Sequence, residues 1–516
     1  MKRQILIAFV SLLAGALLAS AALPNEIRID TGLVSGVAGT NPGVEVFKGI
    51  PFAAPPVGDL RWRPPQPPAR WKGVRKADEF SPVCMQNRFP GANASGPAPS
   101  EDCLYLNVWT AAKSASERRA VIVWTYGGGF TSGAGSVAMY NGDALAAKGA
   151  VVVTYNYRLG VFGFLAHPEL TKESAHHASG DYGMMDAVAV LHWVQKNIAK
   201  FGGDPKRVTI DGESAGAIMT SALVGSPEGK GLFVRAIGQS GAWMGINIGH
   251  MTPLAQAEES GEKFAKSENA ASIAELRAKP ADELLKNSRG FWGIVVDGWY
   301  VPEDLSVTFQ HNRENDVDIL VGSNRDEGTF FARPGSGNAE QFVATAKRRF
   351  GDLADNYLKL YPASSNEQAG ESQLASMRDE LGFDMRTWAQ LQAHRGKGKA
   401  YLYFFTHVPP SAPGRPSRGA THTADLAYMF DNQPPGVTWT DVDHKLADAM
   451  SSYWVNFAAT GNPNSKDLPE WPAYGEKGNT QPIVLGDTIM VGTGIDPKML
   501  SFYDSFYAEL MNAGAR

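Results

Sequence analysis

The stretch Val208-Thr209-Ile210-Asp211-Gly212-Glu213-Ser214-Ala215-Gly216 joins a strand-like run to a helix candidate at residues 215–223. Its last five residues fit the pattern G-x-S-x-G, in which a serine sits on a sharp turn between a strand and a helix. Glycines are needed on both sides because a Cβ there would collide with neighbouring backbone. In a chain with 55 glycines the bare pattern is weak. Its setting between strand and helix predicts a nucleophile elbow with Ser214 exposed above a sheet, rather than an ordinary glycine-rich turn.

Short runs rich in valine, isoleucine and aromatic residues recur along the chain, and they predict buried strands. These runs cover residues 120–126, 151–157, 208–211, 318–321 and 400–406. Apolar residues at helical spacing predict helices at 184–198 and 446–459. Because strands and helices alternate, the sequence predicts an α/β fold with a parallel sheet.

A proline-rich segment covers residues 47–68 and contains Arg61, Trp62 and Arg63. Proline fixes φ and has no backbone N–H, so a helix is excluded there. The segment is predicted to be an extended strap on the surface.

The first residues have the order typical of a secretory signal peptide. Lys2 and Arg3 precede an apolar run at residues 5–18, and small residues follow at 19–22. We therefore predict a signal peptide at 1–22 and export to the periplasm or out of the cell, with a retained N-terminal anchor as the alternative. No later run reaches about 20 apolar residues, so no membrane span is predicted. Motifs extend from the fifties to the four-seventies, which favours one catalytic domain over residues 23–516.

Charge and cysteine content narrow the possible partners. The formal net charge is −5 and no basic run occurs, so nucleic-acid binding is not expected.

Cys84 and Cys103 are the only cysteines. In an oxidising compartment they are predicted to form a disulfide, with two buried free thiols as the alternative. Neither H-E-x-x-H nor C-x-x-C is present, so no metal is predicted.

Six further segments form a set of motifs spread over nearly the whole mature chain. They are Phe47-Lys48-Gly49-Ile50-Pro51-Phe52-Ala53, Gly58-Asp59-Leu60-Arg61-Trp62, Glu101-Asp102-Cys103-Leu104-Tyr105-Leu106-Asn107-Val108, Phe201-Gly202-Gly203-Asp204-Pro205, Thr460-Gly461-Asn462-Pro463-Asn464 and Trp471-Pro472-Ala473-Tyr474. With the elbow, they resemble the type-B carboxylesterases, which include cholinesterases, bacterial p-nitrobenzyl esterases and fumonisin-detoxifying carboxylesterases. The resemblance implies an α/β-hydrolase fold, with a mostly parallel sheet flanked by helices and large insertions, and ester hydrolysis without a cofactor.

A serine nucleophile needs a base to take its proton and an acid to orient that base. In this fold the chain order is serine, acid, histidine. The resemblance assigns Glu327 as the acid, with Asp326 as the alternative. It assigns His422 as the base, with His407 at the end of the late strand as the alternative. The residue three positions after His422 is usually glutamate in the family, and here it is Asp425.

The glycine run Tyr126-Gly127-Gly128-Gly129-Phe130 is the candidate oxyanion hole. The resemblance implies three backbone donors, from Gly128, Gly129 and Ala215. Tyrosine replaces the histidine that is common at the first position, which matters little because the donors are backbone amides. A phosphate-binding loop is the alternative, but no G-K-[ST] ending follows the run.

Candidate residues of the substrate pocket surround these groups. Glu213 is a candidate for tuning the serine and histidine electrostatically, and Ser240 resembles a second serine that lines the site in the family. The candidate apolar walls, each of which fits a plain core role equally well, are Trp243, Phe291, Trp292, Phe330, Phe331 and Met429.

The sequence therefore predicts a carboxylesterase that acts on small to medium esters through Ser214, His422 and Glu327. Two alternatives are a lipase acting at lipid interfaces and a non-catalytic binding protein on the same fold. Binding proteins of that kind lose triad residues, and this chain keeps all three. The expected partner is a small-molecule ester, while the natural substrate and the oligomeric state are not predicted.

Overall fold

The computed structural model describes residues 26–87, 96–245, 251–288, 290, 292–333 and 335–514. The predicted signal peptide and Phe291 lie outside the described residues.

The strands within the described residues include one long strand that leads into the elbow. In chain order they are β1 (Glu26–Arg28), β2 (Leu33–Ser35), β3 (Val37–Ala38), β4 (Glu45–Pro51), β5 (Val74–Lys76), β6 (Val83–Cys84), β7 (Pro99–Ser100), β8 (Tyr105–Thr110), β9 (Arg119–Thr125), β10 (Val151–Tyr155), β11 (Gly203–Glu213), β12 (Arg235–Gln239), β13 (Thr252–Pro253), β14 (Val295–Val296), β15 (Asp318–Asn324), β16 (Ala400–Phe405), β17 (Ile483–Leu485) and β18 (Ile489–Val491).

The α-helices lie mainly between strands of the large sheet. In chain order they are α1 (Asp143–Ala147), α2 (Gly160–Phe164), α3 (Pro168–Glu173), α4 (Tyr182–Asn197), α5 (Ala215–Gly225), α6 (Leu254–Ser267), α7 (Ile273–Ala278), α8 (Ala281–Asn287), α9 (Leu305–Gln310), α10 (Gly328–Phe331), α11 (Ala339–Phe350), α12 (Ala354–Leu360), α13 (Asn366–Arg395), α14 (Leu426–Met429), α15 (Asp441–Thr460) and α16 (Pro497–Gly514). None of these described helices is both long and apolar enough to cross a membrane.

One large mixed sheet organises the described chain. Its strand order is β18-β17-β16-β15-β12-β11-β9-β10-β8-β4-β3. The central strands from β17 to β10 in this order run parallel, and the strands at both ends pair antiparallel. The predicted α/β class is confirmed.

Helices cover both faces of this sheet, and each face has its own apolar core. Alternate residues of a strand point to opposite faces. On β9, Val121 and Val123 therefore join one core with α4, α5 and α13, which we call the first core. Ile122 and Trp124 join the second core with α1, α14 and α15. Burial on both faces explains why the central strands are nearly continuous apolar runs in the sequence.

The parallel strands end at a common edge of the sheet. The glycine run follows β9, Ser214 follows β11, and Ser240 follows β12. Glu327 lies after β15 and His422 after β16. Parallel topology thus brings together groups that lie more than 200 residues apart in the chain.

The predicted surface strap is confirmed for most of residues 54–68, which are exposed or half-buried, but it is wrong for the start of the segment and for Arg61 and Trp62. Its first residues belong to β4, which pairs with β8 in the large sheet. Trp62 is 1% exposed, and its Nε1 donates to Val161 O at 2.8 Å. Arg61 is buried as well and forms an ion pair with Glu101 at 2.6 Å. The segment, which the structure describes throughout, contains no α-helix but has one 3-10 turn at Gly58–Leu60. The prolines leave β4 intact because its only proline, Pro51, is the last residue of the strand.

The predicted disulfide between Cys84 and Cys103 is confirmed. The two Cα atoms lie 5.0 Å apart, and 19 residues of sequence separate the cysteines. Cys84 is the last residue of β6, which pairs with β7, and Cys103 lies three residues after β7.

Candidate active site

Ser214 occupies the sharp turn between β11 and α5. Its φ of 56° and ψ of −125° are an uncommon backbone conformation for a residue with a Cβ, as expected for a nucleophile elbow. Close approach of the backbone explains the glycines nearby. A Cβ on Gly127 would lie 2.8 Å from the Cβ of Ser214, and a Cβ on Gly216 would overlap Thr125 O. Ser214 is half-buried, so its hydroxyl lies at the edge of the site.

Glu327 and His422 form a buried pair. His422 Nδ1 donates to Glu327 Oε2 at 2.5 Å. The other carboxylate oxygen, Oε1, accepts from Ser240 Oγ at 2.6 Å and from the backbone N–H of Asn324 at 2.7 Å. Three donors therefore hold a carboxylate that is 0% exposed, and this fixes both the orientation and the tautomer of the imidazole.

The second nitrogen of His422 faces another carboxyl group. Nε2 lies 3.1 Å from Glu213 Oε1, but neither atom has a hydrogen-bond partner among the described residues. In the neutral imidazole, Nε2 is thus the nitrogen that accepts a proton. The rings of Phe330 and Phe331 cover the imidazole, with centroids 5.4 and 5.0 Å away.

Burial and charge act in opposite directions on these groups. Burial alone would lower the pKa of His422, but Glu213 and Glu327 raise it to about 9. Burial raises the pKa of Glu213 to about 8, although His422 opposes the rise. The site is therefore a low-dielectric pocket in which small changes of charge have large effects.

Asp425 supports the loop that carries His422. Its side chain accepts hydrogen bonds from Gln239 Nε2 at 2.9 Å, Tyr403 OH at 2.8 Å and Asn324 Nδ2 at 3.1 Å. These donors come from β12, β16 and β15. An aspartate in place of the usual glutamate thus keeps the loop attached to three strands of the sheet.

Asp326 and His407, the alternatives for the acid and the base, make other contacts. Asp326 accepts from the backbone N–H of Ala420 at 2.7 Å and pairs with Arg325, so it holds a loop rather than His422. Both nitrogens of His407 face carboxylates: Nδ1 lies 2.6 Å from Asp487 Oδ1, and Nε2 lies 2.9 Å from Asp443 Oδ1. Neither nitrogen of His407 is left to act as a base.

The glycine run places exposed amides beside the elbow. Gly128 and Gly129 have φ of 105° and 61°, which glycine adopts without strain, and both are exposed. Ala215 is the first residue of α5, so its N–H has no acceptor within the helix. Tyr126 points away from this surface, stacking on Tyr157 with ring centroids 4.6 Å apart.

The predicted pocket residues are only partly brought together. Phe330 is 48% exposed and lies against His422, whereas Ser240 is buried and contacts Glu327 instead of lining a surface. Trp243 and Trp292 belong to the first core. Met429 belongs to the second core, on the opposite face of the sheet, so it does not form one wall with the tryptophans.

Sequence reasoning missed the side chains that donate hydrogen bonds to Asp425 and so support the His422 loop. Asn324, Gln239 and Tyr403 were not predicted, because each acts on a residue far away in the chain. The described residues contain no group of three or more His, Cys, Asp and Glu side chains placed to hold a metal ion.

Comparisons with known proteins agree with this architecture. The model of the carboxylesterase family matches residues 24–493. Fumonisin B1 esterase from Sphingopyxis macrogoltabida is 38% identical over 506 residues, which cover 92% of this chain and 88% of the relative. Para-nitrobenzyl esterase from Bacillus subtilis (strain 168) is 34% identical over 486 residues, covering 89% of this chain and 94% of the relative.

A solved structure of a PNB esterase shares the α/β-hydrolase fold. It superimposes with a TM-score of 0.81 at 32% sequence identity, covering 94% of this chain and 99% of that one.

Proposed function

The chain belongs to the carboxylesterase family and is a carboxylic ester hydrolase, and on that premise we propose that it works through an acyl-enzyme formed on Ser214. His422 is the general base and acid, and Glu327 holds its imidazole. The backbone N–H groups of Gly128, Gly129 and Ala215 form the oxyanion hole.

Ser214 Oγ attacks the ester carbonyl carbon while its proton passes to His422 Nε2. The carbonyl oxygen becomes an oxyanion that the three amides stabilise, each donor being worth about 100- to 1000-fold in rate. When the tetrahedral intermediate collapses, the proton moves from His422 to the leaving alcohol. Water, deprotonated by the same nitrogen, then attacks the acyl carbon. The bond from that carbon to Ser214 Oγ breaks, Oγ takes the proton back from His422, and the acid is released.

The bond from His422 Nδ1 to Glu327 Oε2 at 2.5 Å carries this proposal. It leaves Nε2 as the proton acceptor, on the same edge of the sheet as the strained elbow. No hydrogen bond joins Ser214 Oγ to His422 among the described contacts. Nucleophile–base hydrogen bonds are often long without substrate and tighten when it binds, so the present geometry is compatible with the mechanism.

We propose that Glu213 adjusts the pKa of His422, because its carboxyl group faces Nε2. Its distance of 3.1 Å supports a direct electrostatic effect. Burial raises the pKa of Glu213, which favours its neutral carboxyl form. A charged Glu213 stabilises the protonated imidazole and raises the pKa of His422, so the charge of Glu213 controls how readily Nε2 accepts a proton.

We further propose that the enzyme is exported and that residues 23–516 form one catalytic domain acting on small to medium esters. The order of residues 1–22 supports export. Hydrolysis of a dissolved short-chain ester, compared with an emulsified long-chain triglyceride, distinguishes this proposal from a lipase. Fumonisin B1 belongs in the substrate panel because the relative from Sphingopyxis macrogoltabida is named as an esterase of this compound.

Substitution of the nucleophile tests the mechanism. Ser214→Ala should lower kcat for p-nitrophenyl acetate by about 10,000-fold or more, because nucleophile and base act as one unit. Ser451→Ala is the matched control, since that serine is buried in α15 and donates to carbonyls of its own helix, Ala447 O at 2.6 Å and Asp448 O at 3.2 Å. A Ser214→Ala enzyme with kcat close to that of Ser451→Ala would refute the proposal.

A further inference from the structure

Residues 127–135, which we call the oxyanion loop, have little secondary structure of their own. Their internal bonds close a tight turn in which Gly128 O accepts from the backbone N–H of Thr131 at 3.1 Å and of Ser132 at 3.2 Å. This turn fixes the local shape of the loop. The position of the amides of Gly128 and Gly129 relative to Ser214 depends on contacts outside the turn. One of these is the hydrogen bond from the backbone N–H of Gly160 to Phe130 O at 2.7 Å, and others involve Gly133 and Gly135.

A buried side-chain amide holds the far end of this loop. Gln86 is 7% exposed and bonds both backbone groups of Gly133. Its Oε1 accepts from Gly133 N at 2.9 Å, and its Nε2 donates to Gly133 O at 2.7 Å. The same Nε2 donates to Cys84 O at 3.1 Å. One side chain therefore ties the oxyanion loop to the backbone of a disulfide cysteine.

A second amide makes the equivalent link to the other cysteine. Asn156 Oδ1 accepts from Gly135 N at 3.0 Å, and its Nδ2 donates to Cys103 O at 3.2 Å. Asn156 follows β10 directly and is 3% exposed. The side chains of Gln86 and Asn156 thus link the two ends of the Cys84–Cys103 bridge to the oxyanion loop, and Asn156 lies directly after a strand of the large sheet.

We propose that Gln86 is a positioning residue for the oxyanion hole, and that the Cys84–Cys103 bridge is the rigid base from which it acts. This inference rests on the proposed function. Gln86 touches no reacting atom: it fixes Gly133, and through the closed turn it fixes the N–H groups of Gly128 and Gly129. A donor displaced by about 1 Å can cost about 100-fold in rate, so two hydrogen bonds at Gly133 are enough to matter.

Gln86→Met tests the proposal because methionine keeps the length of the side chain and removes both bonds to Gly133. We expect kcat to fall by about 10- to 100-fold with KM changed less than threefold. Affinity for a trifluoromethyl ketone, which places an oxyanion in the hole, should fall by the same factor as kcat. A side chain with a purely structural role would lower the melting temperature without moving these two quantities together.

Gln195→Met is the matched control. Gln195 Nε2 also donates to two backbone carbonyls, Pro205 O at 2.8 Å and Leu232 O at 2.7 Å, but it lies on α4 away from the oxyanion loop. This variant should keep kcat and ketone affinity within about twofold of wild type while losing a similar number of hydrogen bonds. Gln86→Glu keeps the acceptor for Gly133 N but sets an oxygen against Gly133 O and Cys84 O, where Gln86 has a donor. It should lose at least as much kcat and ketone affinity as Gln86→Met.

The inference is overturned if Gln86→Met, or Gln86→Glu where the methionine variant does not fold, retains wild-type kcat and wild-type ketone affinity. Hydrogen exchange gives a readout that does not depend on turnover: amides of residues 127–135 should exchange faster in the Gln86 variants than in Gln195→Met. Equal exchange would also refute the positioning role. Failure of the proposed function would appear separately, as full activity of Ser214→Ala.

Discussion

Asp211 is a buried carboxyl group that the proposed chemistry does not use. It lies on β11, three residues before Ser214, and its strand neighbours are Trp124 and Ile237. It is 0% exposed, and neither side-chain oxygen has a hydrogen-bond partner among the described residues. Burial raises the pKa of Asp211 well above its ordinary value, and the nearby Asp425 raises it further.

The raised pKa of Asp211 predicts how its contribution to the stability of the folded protein changes with pH. In the unfolded chain this carboxyl ionises near pH 4, whereas in the folded protein it stays protonated to much higher pH. Because the folded pKa is the higher one, the contribution of Asp211 to stability falls as pH rises above about 4. Asp211→Asn has no such loss, so its melting temperature relative to wild type should increase from about pH 4 to about pH 8. A difference that stays constant over this range would show that Asp211 is ionised in the folded protein.

His422 and His407 should differ sharply in their importance for catalysis. His422→Ala should lower kcat/KM by about 10,000-fold or more, because it removes the proposed base. His407→Ala should stay within about tenfold of wild type, since its contacts with Asp443 and Asp487 are structural. Steady-state kinetics on one dissolved ester compares them directly. The reverse ranking would move the base to His407.

Residues with local sequence signals were predictable, and residues that act across the fold were not. Ser214, Glu327 and His422 each stand in a motif, and the structure places the last two in contact. Gln239 and Asp425 are 186 positions apart, so their bond exists only once β12 and the His422 loop have been brought together. Met429 was assigned to a pocket wall because an apolar residue near a catalytic loop fits a pocket and a core equally well.

At the scale of elements, strands with two buried faces and helices with clear periodicity were predicted well. The runs at 151–157 and 400–406 match β10 and β16 to within two residues. The strap at 47–68 was misjudged because its prolines indicate an extended backbone but say nothing about burial. Its tryptophan, Trp62, becomes core through contact with Val161, about 100 residues later.

The disulfide makes a prediction at this scale for the protein produced in an oxidising compartment. Peptide mapping under non-reducing conditions should find Cys84 and Cys103 in one cross-linked pair, which reduction separates. In the loop-entropy model a ring of this size contributes about 3 kcal/mol to stability, less any strain, so reduction should also lower the melting temperature. Recovery of both cysteines as freely alkylated thiols from the native protein would contradict the pairing.

At the scale of the whole molecule, the parallel sheet brings the proposed site residues together. Five connections that leave the same edge carry the oxyanion loop, the elbow, Ser240, Glu327 and His422. Sequence patterns predicted this because strands that alternate with helices run parallel, and parallel strands share one carboxyl edge. The shape of the substrate pocket was not predictable in the same way, because it depends on which helices pack around that edge.

Covalent labelling of the native protein tests the central claim, that Ser214 is the acyl-forming nucleophile, most directly. After inactivation with an alkyl fluorophosphonate, mass spectrometry of the digested protein should find one adduct, on the peptide that contains Ser214. The Ser214→Ala variant should remain unlabelled. An adduct on Ser240, or full labelling of Ser214→Ala, would contradict the account.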